Sequence, residues 1–306
     1  MSRWGDRAAT ELRDRLSSVV VATALAALIV LGVLAVLIVT VRGAQTTHST
    51  ATMTVSVAEV TEEAITAIAA LQEERALAAT LGHDALAAHQ SRFDEAIAAT
   101  DQAMQDLRVA WSRNRSEVPD TATPPISDLL AAEVSLADFR EAAMSPSDES
   151  TYALYGEMVA RAIAATSELV KLGTDPVTVT DRALIVILLD VSENLSEQRH
   201  LIQEALVEGG PISEELALQV DVLADNTSQG LFEARSLADG ESLEEVEEIR
   251  AGEQARAMDD LLEAVVAGSP ADSSSALRQW FETTSARIDR VDALIPVIHD
   301  GVAAEA

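Results

Sequence analysis

The sequence has no cysteine, only 3% aromatic residues, and 21 basic side chains against 51 acidic ones among its 306 positions. Without cysteine there can be no disulfide scaffold, thiolate zinc site or thiol nucleophile. Basic residues this sparse, at a net charge of −30, exclude an ordinary nucleic-acid binder, which neutralises phosphates with clustered Lys and Arg. The five histidines, His48, His83, His89, His200 and His299, form no i,i+4 pair and no H-E-x-x-H pattern, so no metal site is expected. There is no G-x-S-x-G elbow and no G-x-x-x-x-G-K loop. Acidic clusters such as Glu62-Glu63, Asp259-Asp260 and Glu244–Glu248 lack the alternating oxygen donors and turn glycine of a calcium loop, and read as solvated helix faces. The chain is therefore expected to be no enzyme and to need no cofactor.

What is present is a hydrophobic content of 48%, too high for a disordered acidic chain, and an uncharged run from Ser17 to Val41. As a helix this run extends roughly 37 Å, enough to cross a hydrocarbon core of about 30 Å. A cleaved signal peptide would have a shorter apolar region ending in a small-x-small site, so the run is read as an uncleaved anchor. Arg3, Arg7, Arg13 and Arg15 precede it, and after Arg42 no basic residue appears until Arg75. The positive-inside rule then places the N-terminus in the cytoplasm and the acidic remainder outside the cell membrane. The expected domains are a cytoplasmic segment at 1–16, a transmembrane helix at 17–41 and an extracytoplasmic helical domain at 43–306.

Beyond the anchor, Gly and Pro punctuate the chain at Gly82, Pro119, Pro124-Pro125, Pro146, Gly173 with Pro176, Gly209-Gly210-Pro211, Gly240, and Gly268 with Pro270. The stretches between are rich in Ala, Leu, Glu and Gln, which favour helix. Ser147, Ser213 and Ser242 stand as capping residues before acidic first turns. These signals predict an all-α domain of about eight helices, at 50–81, 83–115, 126–144, 148–172, 178–208, 213–239, 242–267 and 272–302. Such a series packs most economically as two antiparallel four-helix bundles, about 50–172 and 178–302, or as one elongated array. VTVT at 177–180 is too short for a strand, and Ala183–Leu189 is too short for a second membrane span; it reads as the deeply buried part of the fifth helix.

A motif recurs between the proposed halves. Leu71-Gln72-Glu73-Glu74-Arg75-Ala76-Leu77 aligns with Leu195-Ser196-Glu197-Gln198-Arg199-His200-Leu201, 124 residues later. Both arginines fall three, four or seven residues from apolar positions and so lie within buried stripes. An arginine stripped of water needs an anion, and its planar fork suits a carboxylate or small oxyanion. One reading gives each arginine an internal Asp or Glu; the other makes Arg75 and Arg199 an anion pocket between the first and fifth helices. Internal carboxylate partners, present or absent, discriminate the two.

The segment Ala70–Ala79 resembles the opening helix of the nitrate- and nitrite-sensing (NIT) domain family. Leu195–Ile202 is similar to that family's second characteristic helix, and the stretch from Ser213 to Arg235, with Phe232-Glu233-Ala234, is similar to the helix that follows. The resemblance implies an all-helical receptor of two four-helix bundles, with Arg75 and Arg199 as the ligand-binding residues near their interface and nitrate or nitrite as the small anion ligand. His200 stands where the resemblance leads one to expect a small residue. In actinobacterial sensor histidine kinases such domains commonly lie outside the membrane between two spans. The terminal helix stops where such a receptor would re-enter the membrane, so this chain is expected to be the sensor portion of a longer two-component protein. A dimer is expected because a single spanning helix transmits little unless paired. The competing readings are a chemoreceptor-like ectodomain for another small anion, and an acidic helical scaffold that binds a protein partner.

Overall fold

The computed structural model describes residues 52–79, 90–144, 150–172, 178–208, 212–266 and 273–305. Contacts separate Met1–Thr52 from a compact unit, Met53–Ala306. The membrane span expected at 17–41 lies outside the described residues. No helix among the described residues is long and apolar enough to cross a membrane.

The described residues form ten α-helices and no strand. These are α1 over 52–79, α2 (Gln90–Asn114), α3 (Thr123–Ala132), α4 (Leu136–Ala143), α5 (Ser150–Lys171), α6 (Val179–Glu208), α7 (Glu214–Leu237), α8 (Gly240–Ala251), α9 (Glu253–Val266) and α10 (Ser273–Glu305). The all-α expectation holds for the described residues. Two of the eight expected helices are divided. The segment expected at 126–144 is interrupted by a 3-10 turn at Glu133–Ser135, and Pro124-Pro125 lie inside the first turn of α3 instead of before it. That position suits proline, whose missing N–H is one that the first turn leaves unpaired anyway. The segment expected at 242–267 breaks at Gly252, where an added Cβ would lie 2.3 Å from the Glu248 carbonyl oxygen, so only glycine allows the chain to turn there. Gly240, one of the stop and start signals between the helices expected at 213–239 and 242–267, opens α8 with a φ of +46°, in the region glycine enters at no steric cost. Ser213 does cap α7, its Oγ accepting from the Leu216 N–H at 3.1 Å ahead of Glu214 and Glu215.

Each long helix buries one stripe. In α1 the buried residues Val57, Val60, Ala64, Ile68, Leu71, Arg75 and Ala78 recur every three or four positions, the spacing that keeps one face inward. In α6 the same face carries Leu184, Leu188, Val191, Leu195, Arg199 and Ile202. Within the Ala183–Leu189 run, expected to be deeply buried throughout, Leu184, Ile185, Leu188 and Leu189 are buried, Val186 and Ile187 are half-buried and Ala183 is exposed.

Side-chain pairs give the helix directions. Glu73–Arg92, Ala70–Thr100 and Glu59–Arg113 run α1 antiparallel to α2, and Ser192–Asp292 with Arg199–Ser285 run α6 antiparallel to α10. By contrast, Gln72 and Arg75 meet Glu193, and Gln203 further along α6 meets the Ala79 carbonyl, so α1 and α6 run in the same direction. Further packing joins α3 and α4 to α5, and α7, α8 and α9 to their neighbours and to α6 or α10. The α1–α6 seam therefore lies where the earlier and later helices meet, and it carries both copies of the repeated motif.

Candidate functional site

Both arginines are buried at this seam, Arg75 with 1% and Arg199 with 3% of its surface exposed. The apolar spacing around each places it inward, and the two then meet different surroundings. Arg75 is bidentate to Glu193, its Nη1 donating to Oε1 at 2.8 Å and its Nη2 to Oε2 at 2.7 Å. The Gln72 amide donates to the same carboxylate at 3.0 Å. The guanidinium lies 4.6 Å from the centre of the Tyr152 ring, and Gly156 leaves room for it, since a Cβ there would stand 3.5 Å from Nη1. Burial works against the charge, but Tyr152 and Glu193 outweigh it and hold the Arg75 pKa above the ordinary value. Burial likewise raises the pKa of Tyr152, whose hydroxyl donates to the Ser196 carbonyl at 3.1 Å.

Next to this pair, Glu74 is fully buried and satisfied from two sides. Arg140 of α4 donates to both its oxygens at 2.8 and 3.0 Å, and the Tyr155 hydroxyl donates to Oε1 at 2.5 Å. Arg140 also reaches Asp101 at 2.9 Å. These interactions tie α1, α2, α4 and α5 together.

Arg199 has no such partner: among the described residues no carboxylate lies within salt-bridge distance of it. Its Nη1 donates to the Ser285 hydroxyl at 2.7 Å, and its guanidinium lies 5.3 Å from the centre of the Phe281 ring. Its backbone carbonyl accepts from the Trp280 indole at 3.1 Å. Burial lowers its pKa, with Glu73 and Asp289 opposing from a distance. Beside it opens a cavity of about 200 Å³ lined by Ala69, Gln72 and Glu73 of α1, Arg199 of α6, and Ile288, Asp289 and Asp292 of α10.

The carboxylates around this cavity are held in ways that moderate their charge. Glu73 pairs outward with Arg92 at 2.7 Å. Burial raises the pKa of Asp289 and pushes that of Asp292 up to about 7, although Ser192 donates to Asp292 at 2.7 Å. His200, the residue out of keeping with the family resemblance, stacks on Tyr152 with ring centres 3.5 Å apart. Burial, reinforced by Arg75 and Arg199, pushes its pKa down to about 3, so it is a neutral spacer between the two arginine environments. No group of His, Cys, Asp and Glu suited to a metal occurs among the described residues.

Of the two arginines expected to share one ligand, Arg199 lines the cavity and Arg75 is neutralised by Glu193. Sequence reasoning did not single out Gln72, Glu193, Ser285 or Asp292. Nothing in the linear pattern marks one carboxylate among 51 as the one that an arginine more than a hundred residues away will meet.

The family described as nitrate and nitrite sensing matches residues 66–301, and the chain belongs to that family. Among solved structures, the chain is similar to the one titled structure of the NasR transcription antiterminator. The two share 14% identity and a TM-score of 0.77, over 87% of this chain and 72% of that one, a likeness of fold. No curated protein matches the chain.

Proposed function

We propose that the chain senses nitrate or nitrite and that the anion binds at Arg199 in the cavity between α1, α6 and α10. The observation that carries this reading is the asymmetry of the two arginines. Both are almost fully buried, but among the described residues only Arg75 has a carboxylate within salt-bridge distance, while Glu73, Asp289 and Asp292 line the cavity beside Arg199 without pairing with it. A guanidinium removed from water without a counter-charge is costly, and an oxyanion that completes its hydrogen bonds lowers that cost. Gln72 lines the same cavity, and Ser285 holds the Arg199 guanidinium beside it. Family membership supports nitrate or nitrite as the anion.

In this reading Arg75 is a positioning residue that locks α1 to α6, while Arg199 touches the ligand. The motif repeat and the helix pairings support two four-helix bundles that share the α1–α6 seam. Filling the cavity favours one packing of α1, α6 and α10, and a shift of α1 carries the signal toward the segment that precedes it. The uncharged run at 17–41 and its basic flank support a membrane anchor with the helical domain outside the cell. A homodimer feeding a sensor histidine kinase completes the proposal, since a single spanning helix transmits little unless paired.

Thermal unfolding of the full chain tests the ligand. Nitrate or nitrite, but not chloride or sulfate at the same ionic strength, should stabilise it, by about 2.7 kcal/mol at a hundred times the dissociation constant. Arg199→Ala should abolish that gain. No response to either anion would refute the reading.

A further inference from the structure

The repeated motif and the parallel course of α1 and α6 give each helix the same opportunity toward the other. Six residues before Arg199, α6 presents Glu193, which takes both Nη atoms of Arg75. Six residues before Arg75, α1 presents Ala69, and Ala69 lines the cavity beside Arg199. The remaining surroundings correspond as well. Tyr152 and Gly156, four residues apart on α5, flank Arg75; Phe281 and Ser285, four apart on α10, flank Arg199. Gln72 donates to Glu193, whereas Ser196, its counterpart in the motif, has a buried Oγ with no hydrogen-bond partner. The halves differ at this position, where one has a carboxylate paired with its arginine and the other a methyl group on the wall of a cavity whose carboxylates, Glu73, Asp289 and Asp292, make no ion pair with Arg199.

We infer that the ligand's oxyanion occupies, beside Arg199, the place that the Glu193 carboxylate occupies beside Arg75, and that Ala69 is the residue that keeps this place open. The inference rests on the reading of the Arg199 cavity as the ligand site. Glu193 shows what the place accepts: a planar, singly charged group with two oxygens that match the guanidinium fork. Nitrate, nitrite and formate have that form, and tetrahedral dianions do not. At about 200 Å³ the cavity holds such an ion together with several waters. Discrimination therefore rests on the fork and not on size.

The test compares the full chain with Ala69→Glu and Glu193→Ala, using calorimetric titration and thermal unfolding in sodium nitrate, sodium formate and sodium chloride at constant ionic strength. Glutamate is nearly as good a helix former as alanine, and position 69 is only partly buried. Ala69→Glu should weaken nitrate binding by about 100-fold or more, because the charged partner is already in place. Without any ligand it should melt close to where the nitrate-saturated parent chain does. Glu193→Ala should be unstable in chloride, be rescued by formate or nitrate, and titrate with two nitrate sites instead of one. Unchanged nitrate affinity in Ala69→Glu overturns the inference. So does a Glu193→Ala chain that formate and nitrate leave as unstable as chloride does, and this second variant decides if the first fails to fold. If the parent chain binds neither nitrate nor nitrite while Ala69→Glu is stabilised, the proposed ligand falls and the inference about the place stands.

Discussion

Arg75 and Arg199 occupy the same position of a repeated seven-residue motif, on two parallel helices, and both are shielded from water. Around Arg75 the protein supplies everything the guanidinium needs: a bidentate carboxylate, an aromatic face and a backbone cleared by Gly156. Around Arg199 it supplies the aromatic face and one hydroxyl, and keeps Glu73, Asp289 and Asp292 beyond ion-pair distance across the cavity. Burial pulls on both charges, yet the Arg75 pKa ends above its ordinary value and that of Arg199 below it. Burial of a charge is thus not by itself a sign of a binding site. What distinguishes the two is whether the chain has already provided the counter-ion.

The largest expected effect comes from making the first arginine like the second. Glu193→Ala should cost about 3–5 kcal/mol in denaturant unfolding without added oxyanion, because it strands a buried guanidinium. A loss under about 1 kcal/mol, the value of an exposed pair, would mean that the Arg75 pair is not the lock described here. The reverse comparison is smaller and separates structure from ligand. Arg199→Met should leave ligand-free stability nearly unchanged, and it should erase the nitrate-dependent gain of about 2.7 kcal/mol at a hundred times the dissociation constant. A large ligand-free loss would show that Arg199 has a structural partner after all.

A third comparison sets the neighbouring Glu74 against both. Glu74→Gln keeps the shape but weakens two charge-assisted bonds from Arg140 and alters the one from Tyr155. It should cost about 1–3 kcal/mol without changing the nitrate response, which calorimetry reads directly.

The last comparison concerns pH. The Asp292 pKa is raised by burial from 3.8 to about 7, so the folded chain holds a proton that the unfolded chain has lost. The associated stability is complete below about pH 3.8 and is lost as pH rises to about 7. Asp292→Asn should therefore match the parent near pH 4 and be increasingly more stable up to pH 7, with a constant margin above. Asp292 is faced by Gln72 and Glu73 on α1, Ser192 and Arg199 on α6, and Asp289 on its own helix. Its ionisation adds a negative charge at the cavity, so nitrate affinity should fall as pH passes 7 and should do so less in Asp292→Asn. His200, neutral down to about pH 3, should contribute nothing to this dependence.

Much of the helical framework can be read along the chain, because helix propensity, capping and the 3.6-residue apolar spacing are local. The errors are local too. Pro124-Pro125 was read as a break although proline fits a first turn, and the division at Gly252 was missed because one glycine in a helical pattern also fits an uninterrupted helix. The candidate site was legible only to the level of two inward arginines.

That Arg75 and Arg199 would be buried and would need anions follows from local pattern alone, since each sits within an apolar stripe of a helix. Which of them would find an anion inside the protein was decided only by tertiary structure. The parallel packing of α1 on α6 brings Glu193 to Arg75 and Ala69 to the cavity beside Arg199. Both partners lie more than a hundred residues away in sequence, and no local rule selects one carboxylate among 51. An ion pair forms where the packing brings charges within a few ångströms, and where it brings a methyl group instead the guanidinium is left facing a cavity whose carboxylates stand too far off to pair with it.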